Sequence, residues 1–319
     1  MHTNIKKDGY LSMENISFDI DALHKVQYDI LIEFDRVCKK YGLRYFLSYG
    51  TLLGAVRHNG FIPWDDDIDT IMPYDDFEKL KAIDPSEWNS PYFLQHYKSD
   101  KQYKRCFAKL RNSETTLITK ELEHLDINHG VDIDIYPVIH LSNDRKKREK
   151  QYRDTMIYML LRNDEPPRNH GRVLYLGGKF ILDVIPNGIK QKLVQKYEKK
   201  VTAYQGEDSE DSYVVLGNIE IMRTVLKTAW FSESVYHRFE EGEFPIPVGY
   251  HDFLITRFGE NYMLPPPEDK RGVKLGTFMK IDLDNSYTKY KGVYYCQNKK
   301  RTEKVKDYRW VSDKETVDK

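Results

Sequence analysis

The sequence predicts an α/β fold (α+β), in which a sheet flanked by helices forms the core and an additional helical region follows it. Three observations support this prediction. Apolar residues recur at steps of three and four between residues 18 and 41, which indicates one face of an amphipathic helix. Short alternating or β-branched segments, which are typical of strands, lie at 43–48, 68–72, 105–110 and 131–138. Residues 173–204 are instead typical of helix.

The ends of these elements carry residues that favour boundaries. Ser17 or Asp19 is expected to cap the first helix, and Gly42 is expected to stop it. The remaining boundaries are, in chain order, a break at Gly50-Thr51, a short helix at 52–57, a turn at Asn59-Gly60, a helix at 75–83 after Pro73, and a helix from 143 to about 162.

The chain has 319 residues, which are enough for a substantial core. Its composition changes along the sequence and divides it into several parts. The stretch from Glu165 to Gly171 is rich in Pro, Asn and Gly and is expected to be a linker. We predict an α/β core at 15–145, a helical region at 146–240, a return segment that packs on the core at 241–280, and a basic aromatic tail at 281–319.

Charge is balanced over the whole chain but not along it. Fifty Lys and Arg against fifty Asp and Glu give no net charge, so no nucleic-acid partner is expected. Residues 285–319 hold ten Lys or Arg and five Asp or Glu, together with aromatic residues. This segment either contacts an anionic membrane surface or is a solvated tail.

Cysteine usage and hydropathy predict a cytoplasmic protein. Cys38, Cys106 and Cys296 form no CxxC pair, so we expect reduced thiols and neither a disulfide framework nor a zinc site. The first ten residues contain no apolar run, so no signal peptide is expected. The longest apolar stretch, residues 173–185, is interrupted by two charged residues and is too short to span a bilayer. Peripheral contact at the inner face of the membrane is left open.

The strongest chemical signal lies in residues 48–72. Gly50-Thr51 stands where a strand gives way to a helix, and backbone N–H groups at a helix N-terminus bind phosphate, which glycine would let come close. If Asp65, Asp67 and Asp69 lie on one strand, their side chains share a face. Carboxylates side by side repel one another unless a cation neutralises them. Oxygen ligands of this kind suit Mg²⁺ or Mn²⁺.

The alternative for this acidic run is a solvated turn. Against that alternative, the run stands between Trp64 and apolar residues, and a second apolar strand carries Asp132 and Asp134 in alternation with β-branched residues. Two strands that carry Asp where packing favours Val or Ile are best explained by a metal ion. We therefore predict a Mg²⁺ (or Mn²⁺) site.

The stretch YFLSYGTLLGAVRHNGFIPWDDDIDTIM resembles the signature of the LicD family, bacterial phosphocholine transferases related to fukutin-type enzymes. The similarity continues through KLRNSET from Lys109, HGVDIDIYP from His129 and FGENYMLPPPEDKR from Phe258, and so covers most of residues 20–271. The resemblance implies a nucleotidyltransferase-like fold, a mixed sheet flanked by helices, with the catalytic core at 15–145.

The resemblance also implies roles for individual aspartates. Asp67 and Asp69 match the family's Asp-x-Asp pair, and Asp65 matches the acid that follows its Trp. Asp134 matches the aspartate of a later strand and is the expected third carboxylate. The expected catalytic residues are therefore Asp67, Asp69 and Asp134, and Asp65 joins them as a metal ligand. Asp132 stands where relatives often have an apolar residue, so its role is open.

Other residues are candidates for binding the substrate together with Gly50. Arg57 suits a phosphate clamp, or else it forms a surface ion pair. Lys109 and Arg111 share one face of a strand and either hold the donor diphosphate or form a solvated basic strand. Thr51 would donate to a phosphate oxygen, and His58 is either a base or a structural histidine.

The function that the resemblance implies is a metal-dependent phosphotransfer. Phosphocholine or a similar phospho-alcohol group would pass from a CDP-activated donor to a sugar hydroxyl of a cell-surface glycan precursor, either a glycan or a lipid-linked oligosaccharide. Many relatives have a histidine pair after Lys270-Arg271, whereas this chain has GVKLG at 272–276, which leaves the transferred group open. Two alternatives also stay open: a nucleotidyltransferase that moves the nucleotide onto a small acceptor, and a non-catalytic glycan- or nucleotide-binding scaffold.

Overall fold

Helices cover a mixed β-sheet, which confirms the predicted α/β fold. The structure, a computed structural model, describes residues 19–166, 171–205, 213–216, 224–268, 271 and 277–297. The GVKLG stretch at 272–276, where many relatives have a histidine pair, and the part of the tail beyond residue 297 lie outside these ranges.

The first helix, α1 (Ile20–Tyr41), is bounded as the sequence predicts. The carboxylate of Asp19 accepts a hydrogen bond from the N–H of Asp21 at 3.0 Å, which caps the N-terminus. Gly42 ends the helix with φ 61, a left-handed conformation that glycine adopts without strain. One face of α1 packs on the sheet, and its fully buried apolar residues are Leu23, Ile30, Leu31, Phe34 and Val37.

The central sheet mixes parallel and antiparallel pairs. Its strands are, in spatial order, β1 (Phe46–Leu47), β2 (Asp69–Pro73), β6 (Val131–His140), β4 (Ala108–Asn112) and β3 (Tyr92–Gln95), and β7 (Tyr213–Val215) pairs with the end of β6. The β2 and β6 strands run parallel, and the other pairs are antiparallel. Smaller two-stranded sheets join β5 (Thr116–Thr119) to β10 (Phe278–Asp282) and β8 (Ser234–Phe239) to β9 (Gly242–Pro247).

Two hydrophobic clusters hold the helices in place. The helices after α1 are, in the described ranges, α2 (Tyr49–His58), α3 (Tyr74–Leu80), α4 (Arg145–Asn163), α5 (Arg172–Val184), α6 (Asn187–Val201) and α7 (Tyr250–Phe258). The larger cluster joins α1, the sheet and α2 to later residues such as Phe244 and Phe253. The smaller cluster joins Ile139 of β6 to α4 and α6 through Met159 and Val201. Within the described residues, no helix combines the length and apolar character needed to cross a bilayer.

Several boundaries differ from the sequence prediction. The first strand is only two residues long, and α2 begins at Tyr49, so Gly50 and Thr51 lie in its first turn rather than before it. The chain turns sharply there, since Tyr49 has φ 47. The predicted strand at 105–110 lies at 108–112. The helical stretch 173–204 is divided at Pro186, because proline cannot donate a hydrogen bond inside a helix.

Candidate active site

Three strands of the sheet place charged side chains in one row. Asp69, the first residue of β2, is the register partner of Asp134 on β6, and Asp134 is in turn the partner of Lys109 on β4. A second row pairs Asp132 with Arg111. Directly opposed residues of neighbouring strands lie on the same face of a sheet. The sheet therefore brings together these two aspartates of β6, both basic residues of β4 and the aspartate that starts β2.

Asp65 and Asp67 do not lie on the strand that begins at Asp69, so the condition under which the three side chains would share one face of a strand is not met. The N–H of Asp65 donates to the carbonyl of Ile62 at 2.9 Å, which closes a turn, and β2 begins only at Asp69. The reason is the short first strand, since β1 pairs only with Thr70 and the residue after it. The two earlier aspartates therefore lie in a loop that leads into β2.

Side chains of α1 fix this loop. Nε2 of His24 donates to the backbone carbonyl of Asp65 at 2.7 Å, and Nε2 of Gln27 donates to the carbonyl of Asp66 at 2.8 Å. The ring of His24 also stacks on Phe61 with its centroid at 4.0 Å. These contacts hold the backbone of the acidic loop through its carbonyl oxygens.

Gly50 and Thr51 support the aspartates from the first turn of α2. A Cβ atom at position 50 would clash with Oδ2 of Asp65, so glycine is needed here for the approach of that carboxylate. Oγ1 of Thr51 accepts a hydrogen bond from the N–H of Asp69 at 2.8 Å, and Thr51 is buried. The predicted role of these two residues in phosphate binding stays a prediction.

Three consecutive aspartates form a potential metal-binding cluster. Asp65, Asp66 and Asp67 each offer a carboxylate oxygen, and these oxygens lie within 4.8 Å of one another. Asp66 was not among the predicted ligands, although its place in the DDD run was a signal for it. Asp67 is exposed, so the cluster can be reached from solvent. Carboxylate oxygens are the ligands that Mg²⁺ and Mn²⁺ prefer.

Burial and mutual repulsion raise the pKa values of Asp65, Asp67 and Asp69. Burial, followed by the charge of Asp66, raises the pKa of Asp65 to about 6. Desolvation by the surrounding protein atoms, followed by the charges of Asp69 and Asp65, raises the pKa of Asp67 well above its ordinary value. Burial and then the charge of Asp134 do the same to the pKa of Asp69. The carboxylates of the acidic loop and those of Asp69 and Asp134 on the strands therefore repel one another. A divalent cation bound between them would relieve this repulsion.

The aspartates of β6 hold both basic residues of β4. Nζ of Lys109 lies 2.7 Å from Oδ1 of Asp132 and 2.6 Å from Oδ1 of Asp134. The first contact is a hydrogen bond, whereas the second is an ion pair without hydrogen-bond alignment. Nη1 of Arg111 donates to Oδ2 of Asp132 at 2.5 Å and to the carbonyl of Gly130 at 2.6 Å. Asp132, whose role the sequence left open, therefore forms ion pairs with both Lys109 and Arg111.

The pKa values of the two β6 aspartates shift in opposite directions. Burial favours the neutral form of Asp132, but Arg111 and Lys109 outweigh burial and lower the pKa of that carboxyl. For Asp134, burial outweighs Lys109 and the pKa is raised, while the hydroxyl of Tyr136 donates to its Oδ2 at 2.9 Å. Because Arg111 is only 1% exposed, the arrangement gives it a supporting role, and its predicted contact with the donor stays a prediction.

Two arginines lie next to the acidic loop. Nη1 of Arg57 donates to the carbonyl of Tyr262 at 2.9 Å, and the guanidinium carbon of Arg271 lies 4.9 Å from the ring centre of Trp64. His58 packs edge-on to the same ring, with centroids 6.2 Å apart. Burial and then the charge of Arg271 lower the pKa of Arg57, so the two guanidinium groups repel each other. Sequence reasoning did not place Arg271 in the site, because its motif was visible but no local pattern indicated the contact with Trp64.

Comparisons with known proteins point to the same region. Residues 42–157 match the family model described as LicD/FKTN/FKRP, nucleotidyltransferase domain. The chain is 26% identical over 254 residues to the lipopolysaccharide cholinephosphotransferase LicD of Haemophilus influenzae, an alignment that covers 76% of this chain and 91% of that protein. It is 30% identical over 90 residues to the human ribitol 5-phosphate transferase FKRP, which covers 28% of this chain and 18% of that protein. The matched domain contains every predicted site residue from Gly50 to Asp134.

Proposed function

The chain carries the nucleotidyltransferase domain of the LicD family, and on this premise we propose which group it transfers and how. The relatives are named for the transfer of choline phosphate and of ribitol phosphate, which supports a phosphotransferase. We propose that phosphocholine or a similar phospho-alcohol passes from a CDP-activated donor to a sugar hydroxyl of a cell-surface glycan precursor. The observation that carries this proposal is the row of Asp69, Asp134 and Lys109 beside the carboxylates of Asp65 and Asp67.

The charge of this row favours a metal-dependent reaction. Burial and mutual repulsion disfavour the ionised carboxylates of Asp65, Asp67 and Asp69. We propose that these three and Asp134 hold Mg²⁺ or Mn²⁺, for which carboxylate oxygens are suitable ligands. When bound, the cation supplies charge neutralisation for the diphosphate of the donor. Lys109, paired with Asp134, fixes the orientation of that carboxylate beside the site.

The groups of the protein itself position the two substrates. Arg57 and Arg271 bind the donor diphosphate in this proposal, because an anion between two guanidinium groups relieves their repulsion. The acceptor hydroxyl is brought in line with the phosphorus, and Asp134 takes its proton. A new O–P bond forms as the bond to the leaving CMP breaks, so the products are the phospho-alcohol-modified sugar and CMP. Most of the rate then comes from positioning and charge stabilisation.

Transfer of the nucleotide itself is the second candidate function. The matched family model describes a nucleotidyltransferase domain, and the same carboxylates suit attack on either phosphorus of a diphosphate. The difference lies in which half of the donor ends on the acceptor. A non-catalytic scaffold that binds glycans or nucleotides would transfer neither half.

Product masses distinguish these candidates. The protein is incubated with Mg²⁺, a lipooligosaccharide acceptor, and in turn CDP-choline, CDP-ethanolamine, CDP-glycerol and CDP-ribitol, and the products are analysed by mass spectrometry. The proposal predicts release of CMP and an acceptor that is heavier by one phospho-alcohol group. An acceptor heavier by CMP supports nucleotidyl transfer. A donor that raises the Tm of the protein without any product supports the scaffold.

A matched pair of variants tests the carboxylate site in the same assay. Asp67→Asn is expected to reduce product formation at least about 100-fold, the scale on which removal of a charge-stabilising group acts. Asp29→Asn makes the same charge change on an exposed position of α1 and is expected to keep wild-type turnover. Near-normal turnover of Asp67→Asn, or of the wild-type protein in EDTA, contradicts the proposal.

A further inference from the structure

Helix α5 exposes a wide apolar surface. Among its thirteen residues only Gly178 and Leu182 are buried. Six large apolar residues are exposed instead, among them Val173 at 85% and Phe180 at 68%. We call this set the α5 face, and it consists of Val173, Leu174, Leu176, Phe180, Ile181 and Val184. Scattered exposed apolar residues are normal on a protein surface, but a contiguous group of this size marks an interaction surface.

Helix geometry places the α5 face away from the body of the protein. At about 3.6 residues per turn, Val173, Phe180 and Val184 project from one side of the helix, and Leu182 projects from roughly the opposite side. The side with Leu182 packs on the smaller hydrophobic cluster with α4 and α6. The helix is therefore apolar on two sides. Within the described part of the chain, the side with Leu182 packs against other residues and the α5 face is exposed.

The charge around the α5 face indicates what covers it. Between residues 172 and 201, α5 and α6 hold seven Lys or Arg and two acidic residues, Asp183 and Glu198. Glu198 is already paired with Arg162 and Lys190 with Asp164, which leaves six Lys or Arg and Asp183 to set the charge of these helices. A second copy of this chain would bring its own positive charge against this surface and would be repelled. A surface that is negatively charged and has an apolar interior fits both the basic residues and the exposed apolar side chains.

We propose that the α5 face docks on an anionic phospholipid bilayer, with the helix lying in the plane of the interface. Apolar side chains on one side of a helix and basic residues beside them are the features of interfacial helices. Thirteen residues make a helix of about 20 Å, which is too short to cross the hydrocarbon core. The proposal rests on α5 and its neighbours alone, so its failure leaves the proposed phosphotransfer unaffected.

Vesicle flotation tests this proposal with the full-length protein. The wild-type chain is expected to float with phosphatidylcholine/phosphatidylglycerol vesicles and to bind pure phosphatidylcholine vesicles more weakly. Phe180→Glu is expected to weaken binding to the anionic vesicles at least about tenfold, because a large aromatic side chain no longer enters the bilayer. Val173→Glu, on the same side of the helix, is expected to act in the same direction. Circular dichroism checks that both variants keep their helical content.

Ile32→Glu is the matched control. Ile32 is 45% exposed on α1, so the substitution makes the same chemical change on another exposed helix position, and it is expected to leave vesicle binding unchanged. The proposal is overturned if the wild-type chain binds neither kind of vesicle, or if Phe180→Glu binds anionic vesicles as wild type does. Light scattering gives a further test. If the wild-type chain is a dimer that Phe180→Glu dissociates, and the protein does not bind vesicles, the α5 face is a protein interface and the proposal is overturned.

Discussion

Removal of the charge of Asp65 is expected to stabilise the metal-free protein at neutral pH. The pKa of this carboxyl rises from 3.8 to about 6 because of burial and the neighbouring charge of Asp66. The folded state therefore binds the proton more tightly than the unfolded state. The stability that this group contributes is present below pH 3.8 and is lost as the pH rises through about 6. Asp65→Asn keeps the shape of the side chain and removes this loss.

The size of the effect follows from the shift. A rise of about two pKa units corresponds to about 3 kcal/mol in the free energy of unfolding. Because Asp65 is partly exposed, solvent screening lowers this figure, which is an upper limit for the gain at pH 8. The gain should fall to roughly half at pH 5 and become small below pH 4. In Mg²⁺ the gain should shrink or reverse, because the wild-type protein gains more from binding the cation.

Urea unfolding in EDTA at pH 5 and pH 8 measures this difference. Asp29→Asn provides the control, because this residue is exposed and a surface substitution changes stability by no more than about 0.5 kcal/mol. The reasoning is refuted if Asp65→Asn is less stable than the wild-type protein at pH 8 in EDTA. It is also refuted if the gain is the same at both pH values.

Three further substitutions test the residues that hold the aspartates of the site in position. Arg111→Lys should lower the free energy of unfolding in urea by about 2–3 kcal/mol, because one ammonium cannot replace both the Nη1 contacts with Asp132 and Gly130 and the Nε contact with Gln95; a loss under about 0.5 kcal/mol would contradict the network. Gly50→Ala should push the Asp65 carboxylate aside and weaken Mg²⁺ binding about tenfold or more in calorimetry, and unchanged affinity would contradict this. Thr51→Val should cost about 1–2 kcal/mol in urea unfolding, because the N–H of Asp69 loses its acceptor; equal stability would show that this bond contributes nothing.

The row of charged residues was predictable because it depends on short-range patterns. Asp132 and Asp134 alternate with β-branched residues, which indicates a strand with two faces, and the structure places them on β6 as expected. Their pairing with Lys109 and Arg111 depends on the register of two strands that are distant in sequence. A sequence pattern does not specify that register, so the ion pairs of Lys109 and Arg111 with Asp132 could not be predicted.

The acidic loop shows a different limit. Alternation of Asp65, Asp67 and Asp69 has the period of a strand, but a strand forms only where a partner strand extends alongside. The first strand ends too early to pair with the first two aspartates. Arg271 reaches Trp64 across more than two hundred residues of sequence, and a contact of this kind carries no local signal.

Binding of Mn²⁺, followed by electron paramagnetic resonance, tests the central claim most directly. The wild-type protein is expected to remove free Mn²⁺ from solution and to release it to excess Mg²⁺. Asp69→Asn, whose backbone contact with Thr51 is retained, should bind Mn²⁺ at least about tenfold more weakly while keeping its circular dichroism spectrum. Equal Mn²⁺ affinity in the two proteins, or no binding by the wild-type chain, would show that the carboxylates of Asp65, Asp67, Asp69 and Asp134 are not a divalent-cation site.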